Sequence, residues 1–133
     1  MKGYIVQIED AMRDNQHYRR VLFTAKHSQL VLMNLKPGEE IGEEVHGMDQ
    51  FIRFEEGEGT VVLDGEKHAV SDGFAVVIPA GTRHNVVNSG KTAALKLYSL
   101  YSPPEHKDGI IHKTKQEADA DHDHHFDGRT SMK

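Results

Sequence analysis

Residues 38–57 read GEEIGEEVHGMDQFIRFEEG, and residues 73–88 read GFAVVIPAGTRHNVVN. Side chains on an extended strand alternate between its two faces. If Val45–Phe54 is one strand headed by Glu44, then Glu44, His46, Met48, Gln50, Ile52 and Phe54 share a face. That face begins with metal-capable groups and ends with apolar ones. The gradient suits the interior of a small barrel, polar at a site and apolar at its closed end. The other face carries Val45, Asp49, Phe51, Arg53 and Glu55, a mixed set suited to an outer surface or subunit contact. In the second stretch, His84 follows the Pro79-Ala80-Gly81 turn and opens a strand, sharing its face with Val86 and Asn88. A barrel can bring two strands distant in sequence together, and so place His84 across the lumen from His46. Imidazole, carboxylate and amide oxygen form a mixed N/O ligand set, better suited to Mn, Fe, Co, Ni or Zn than to soft Cu(I).

On either side of these stretches, short β-rich runs alternate with turn signals. Strands are expected at Tyr4–Ile8, Arg19–Thr24, Gln29–Leu35, Thr60–Leu63, Lys67–Val70, Phe74–Ile78, His84–Asn88 and Ala93–Tyr101. Asp64-Gly65 and Asp72-Gly73 are hairpin signals. Glu9–Gln16 is polar and reads as a turn or a single helical turn. Many short, closely spaced strands predict an all-β sandwich or barrel, and the lack of long amphipathic patterns argues against an α/β fold. The barrel is expected over residues 1–104. Residues 105–133 form a polar His/Asp-rich tail that composition alone would call disordered. His122, His124 and His125 in that tail are a possible accessory metal group, set against the plainer reading of a solvated polar run. His17, His27, His68 and His106 have no recognisable partner and read as surface residues.

The chain has 133 residues, a length that suggests one domain. Its formal charge is -5, and eight acidic residues fall between Gly38 and Glu58 against the single cation Arg53. That balance argues against nucleic acid as a partner, because phosphate binding needs a basic surface. With no cysteine, disulfides, zinc–thiolate sites and a thiol nucleophile are excluded. The N-terminus has no apolar stretch of the signal-peptide kind. No apolar run approaches the roughly 18 residues a membrane span requires. A soluble cytoplasmic protein is expected.

The two quoted stretches resemble the motifs of the cupin superfamily. The first cupin motif runs glycine, five residues, ligand, one residue, His, three or four residues, ligand, six residues, glycine; Gly38, Glu44, His46, Gln50 and Gly57 stand at those spacings. The second runs glycine, five residues, proline, one residue, glycine, two residues, His, three residues, Asn, and Gly73, Pro79, Gly81, His84 and Asn88 match it throughout. The chain looks most like small bacterial cupins of the mannose-6-phosphate isomerase-like branch. The resemblance implies an antiparallel jelly-roll β-barrel, or double-stranded β-helix, and a homodimer. It also implies one divalent transition metal held by Glu44, His46, Gln50 and His84. Glu44 stands where the family usually has His, and Gln50 where it usually has Glu, so the carboxylate has moved and the charge of the set is kept.

Met48, Ile52 and Phe54 are expected as core or pocket wall beside the metal. Two functional readings follow. One is an enzyme that uses the metal as a Lewis acid or oxygen-activating centre on a small oxygen-rich molecule, a sugar or a keto or hydroxy acid, with isomerase and dioxygenase chemistry both open. The other is a non-catalytic module that binds or senses a small ligand or metal. A fold alone does not choose between them, and no separate general base stands out.

Overall fold

A computed structural model describes residues 3–132. Residues 3–7 have no regular structure and lead into helix α1 (Ile8–Asp14), whose N-terminus is capped by the Gln7 side chain accepting from the Glu9 N–H at 3.0 Å. The strand expected at Tyr4–Ile8 is therefore absent. Tyr4–Ile8 pairs with no described strand, and β-propensity has little force without a ladder to join. Tyr4 instead stacks on Phe23, with ring centres 5.0 Å apart.

The β-structure comprises β1 (Arg19–Thr24), β2 (Gln29–Leu35), β3 (Asp49–Glu56), β4 (Glu58–Leu63), β5 (Glu66–Ser71), β6 (Ala75–Ile78), β7 (His84–Val87), β8 (Leu95–Ser102) and β9 (Ile111–His112), followed by helix α2 (Lys115–Ala120). Strands β6-β3-β8-β2-β1-β9 form one sheet and β5-β4-β7 a second, with antiparallel pairing throughout. This is a jelly-roll-like arrangement of two sheets, and it corrects the expectation of a closed barrel. β5 and β6 adjoin in sequence, yet β5 pairs with β4 and β6 with β3, so no ladder joins the sheets there. Buried side chains from both layers, among them Val31, Phe54 and Leu97 from the large sheet and Val61, Val70 and Val86 from the small one, fill the space between them.

Glycine decides one corner. The chain passes from β3 to β4 at Gly57, which has φ 96°, and a Cβ there would collide with the Ala94 carbonyl oxygen. Both features exclude a side chain. The β4–β5 hairpin turns through Asp64 (φ 48°) and Gly65 (φ 85°), the left-handed pair that a two-residue hairpin uses.

Two further expectations change. The strand expected over Val45–Phe54 begins only at Asp49. Residues 40–48 are irregular chain whose first part lies along the free edge of β7, through the antiparallel Glu40–Val87 and Glu44–His84 bridges. The C-terminal segment is ordered against the large sheet, although its composition reads as disordered. β9 pairs with β1, setting His112 opposite Arg19. Thr114 caps α2 by accepting from the Glu117 N–H at 3.1 Å.

A buried side chain latches this segment. Gln29, 1% exposed, accepts from the backbone N–H groups of Glu105 (3.3 Å) and His106 (3.0 Å) and donates to the His106 carbonyl (2.7 Å) and Thr24 Oγ1 (2.9 Å). Such pairing, rather than apolar content, holds a polar segment in place. No helix among the described residues is long and apolar enough to cross a membrane.

Candidate metal centre

Glu44 is fixed by backbone pairing. Its N–H donates to the His84 carbonyl and its carbonyl accepts from the His84 N–H, both at 2.9 Å. That exchange brings two residues forty positions apart side by side. The side chains of Glu44, His46 and His84 converge, with one donor atom from each lying within 4.8 Å of the other two. The two imidazole centres are 4.7 Å apart.

Each imidazole is oriented by its own loop. His84 Nδ1 lies 2.9 Å from the Thr82 carbonyl and His46 Nδ1 lies 3.3 Å from the Met48 carbonyl. A carbonyl only accepts, so in both rings Nδ1 carries the proton and Nε2 keeps a lone pair. Metal-binding histidines are commonly held this way.

Gln50 lies on β3, 3% exposed. Its amide nitrogen donates to Ser99 Oγ at 3.0 Å and Tyr101 Oη at 3.2 Å, both on the neighbouring β8. Its carbonyl oxygen is buried and has no hydrogen-bond partner. A buried acceptor left unpaired is costly. Glu44, Gln50 and His84 line a void of about 10 Å³, which borders Tyr101 and Ile41 as well. Three lone-pair donors and one orphaned oxygen fit a single divalent cation of the Zn, Mn, Fe, Co or Ni kind.

A larger cavity of about 340 Å³ adjoins, with Glu44 and Tyr101 in its wall. Its other side is built by β1 and the C-terminal segment, through Arg19, Glu105, His106, Asp121 and His124 among others. Its size is within the usual range for a small-molecule site. Burial sets much of its protonation. The Tyr101 phenol is raised well above its ordinary value by burial and remains protonated at neutral pH. Burial, followed by the nearby Arg19 charge, pushes His106 down to about 2, so its ring is neutral. His124 is also lowered, chiefly by burial and then by His125. Glu105 is raised by burial and by the Glu44 charge, against the opposing pull of His46 and His125.

The residues expected at the site are distributed unevenly. Glu44, His46 and His84 come together and Gln50 lines the same void. Ile52 and Phe54 are fully buried in the core between the sheets, and Met48 packs against it half-buried. His122, His124 and His125 all line the larger cavity. His124 Nδ1 lies 3.1 Å from His106 Nδ1, and His125 Nδ1 lies 3.4 Å from Glu105 Oε1. His106, expected at the surface, is 3% exposed; the Gln29 latch draws it inward. Arg19, Tyr101 and Glu105 are additional wall residues that the sequence did not mark. A signal was present only for Tyr101, which continues the buried alternation Leu95, Leu97, Ser99 along β8.

Residues 31–101, more than half of the chain, match the cupin domain family. The chain belongs to the cupin family. It is 46% identical over 129 residues to the uncharacterised protein YrkC of Bacillus subtilis (strain 168), a match that spans 92% of this chain and 69% of the relative. It is also 46% identical over 113 residues to an uncharacterised protein of Acanthamoeba polyphaga mimivirus, covering 81% of this chain and 70% of that one. A crystal structure of a Bacillus halodurans protein superposes with a TM-score of 0.87 at 44% identity, covering 90% of this chain and 96% of the other. That coverage extends well beyond residues 31–101, so the likeness includes chain outside the cupin match.

Proposed function

We propose that this cupin holds one divalent transition metal through Glu44, His46, Gln50 and His84. With it the protein acts on a small oxygen-rich metabolite, a sugar or a keto or hydroxy acid, by isomerase- or dioxygenase-type chemistry. The narrower likeness to the mannose-6-phosphate isomerase-like branch is part of this reading. The observation that carries it is the buried, unpartnered Gln50 oxygen beside three converging donors, opening toward a cavity of metabolite size. When bound, the metal supplies Lewis acidity or an oxygen-activating centre.

The chain's own groups take the remaining tasks. Tyr101 accepts the Gln50 amide through its phenol oxygen, which leaves its proton to donate to a bound molecule. Glu105, raised by burial, is the cavity carboxyl best placed to carry a proton. Neutral His106 offers a hydrogen bond without a charge.

Metal analysis of the purified protein, followed by turnover assays on sugars and on keto and hydroxy acids with and without a chelator, tests the reading. Metal-dependent turnover that a chelator abolishes is the expected result. Metal binding without turnover would favour a binding or sensing module, and failure to bind any divalent ion would end the metal reading. The proposal includes a homodimer. Phe51, Val77 and Leu100 are direct neighbours across β6, β3 and β8, and are 65% to 37% exposed on the outer face of the large sheet.

A further inference from the structure

Arg19 is a permanent cation with 7% of its surface exposed. Among the described residues it forms no ion pair with a carboxylate. One terminal nitrogen donates to His112 Nδ1 at 3.1 Å, and the guanidinium lies 5.4 Å from the centre of the Tyr18 ring. Its Nε is buried without a partner. An uncompensated buried charge is among the costlier features a fold can keep. Apart from Glu44, the acids around the same cavity are engaged elsewhere: Glu105 with His125, Asp119 with Lys115 and Asp121 with His112. Asp121 is linked to Arg19 through the His112 imidazole, which stands between them. A second unpartnered buried nitrogen, His106 Nε2, belongs to the same wall.

The cavity wall therefore carries two unlike groups: Glu44, one of the converging metal donors, and a guanidinium that forms no ion pair. We infer that the cavity takes a small hydroxy- or oxo-carboxylate, with its carboxylate received by Arg19 and its oxygenated end directed toward Glu44, His46 and His84. Guanidinium matches carboxylate geometry through paired N–H donors, which suits it to this task. At about 340 Å³ the cavity is within the usual range for a small-molecule site. The inference rests on the proposed metal function and selects acids over neutral sugars as the substrate class.

The test titrates full-length protein, with Mn and without metal, with glycerate and gluconate and with their uncharged counterparts glycerol and sorbitol, read by calorimetry. In wild type the acids should bind at least tenfold tighter than the polyols in both forms, because the Arg19 charge acts with or without the ion. Arg19→Gln should reduce acid affinity about tenfold and leave Mn affinity within twofold. His112→Gln breaks the link to Asp121 but keeps the Arg19 charge, and should retain the preference for acids. Should Arg19→Gln not fold, Arg19→Lys replaces it, with an intermediate loss of gluconate affinity expected. Equal affinity for acid and polyol in wild type would overturn the inference. So would unchanged gluconate affinity in the Arg19 variants, or an equal loss in His112→Gln, which would make Arg19 a strut for the C-terminal segment. Absence of Mn binding with the acid preference intact would count against the metal reading alone.

Discussion

At the scale of single residues, the donors of the candidate centre differ in how replaceable they are. His46 and His84 are held by short local contacts to the Met48 and Thr82 carbonyls, so removing one ring disturbs little else. His46→Ala should weaken divalent metal binding by at least about 100-fold and leave a cooperatively folded protein, since stability comes from the apolar core. Metal titration beside thermal unfolding checks both parts; an unfolded variant at room temperature would make the metal structural. Gln50 is a subtler position. Glu44 alone leaves a divalent ion with a net charge of about +1, and Gln50→Glu would bring that to about zero. Mn should bind more tightly to the variant. In the metal-free variant two carboxylates would share the site and one should take up a proton, so metal binding should depend more steeply on pH. Ser99 and Tyr101, which now accept from the Gln50 amide, can turn their hydroxyl protons toward the new carboxylate. Titration with Mn at two pH values decides the matter, and identical curves for variant and wild type would remove Gln50 from the ligand set.

At the scale of elements, the attachment of the C-terminal segment to β2 depends on one amide. Gln29 satisfies two backbone N–H groups and one carbonyl of residues 105 and 106, all at buried positions. Gln29→Ala would leave those groups unpaired, at about 1–3 kcal/mol each before relaxation. The expected outcome is local release rather than global unfolding. Hydrogen exchange should rise across residues 105–126 while β2, β3 and β8 stay protected. Uniform loss of protection across the large sheet would show that the latch belongs to the core. The ends of β3 teach a related lesson. Parity places Gln50, Ile52 and Phe54 on the inner face, and all three are buried there. The same parity extended back to Glu44 does not apply, because Glu44 and His46 arrive at the converging group from irregular chain pinned to β7.

At the scale of the whole molecule, two properties follow from how the parts close over one another. The first is sensitivity to acid. Burial and the Arg19 charge lower His106 to about 2 in the folded state, against an ordinary value of 6.5 in the unfolded chain. A depressed imidazole means that the unfolded state binds the extra proton. Stability is therefore fully present above pH 6.5 and is lost as pH falls, by about 1.4 kcal/mol per pH unit for this one group. Glu105, raised by burial, works in the opposite sense and matters only near and below its folded value. Unfolding of wild type and His106→Gln between pH 7 and 5 should show a steeper decline in wild type; parallel curves would mean that His106 does not govern it. The second property is assembly. Val77→Asp places a charge within the row formed with Phe51 and Leu100. The proposed dimer should dissociate to monomer in sedimentation, with the site's metal affinity unchanged. A wild-type monomer would refute the dimer directly.

Local chemistry by itself determined a large part of this protein. β1 and β2 fall at Arg19–Thr24 and Gln29–Leu35 as their Val, Leu and Phe content predicts. The β4–β5 hairpin turns at Asp64-Gly65, because a left-handed pair is written into those two residues. The resemblance of residues 38–88 to the two cupin motifs implied that Glu44, His46 and His84 form one group, and their side chains converge. Each of these signals lies within a few residues or in a fixed motif, where steric and spacing rules act directly. Tertiary structure alone decided that the layers remain two sheets, since side-chain packing between them is not a property of any one strand. It also decided that a polar tail would become the wall of a cavity. The contacts responsible, Gln29 with His106 and Arg19 with His112, join residues 77 and 93 positions apart. Hydrogen bonds of that range leave no periodicity in the chain, so the buried environments of Arg19 and His106 exist only once the molecule has folded.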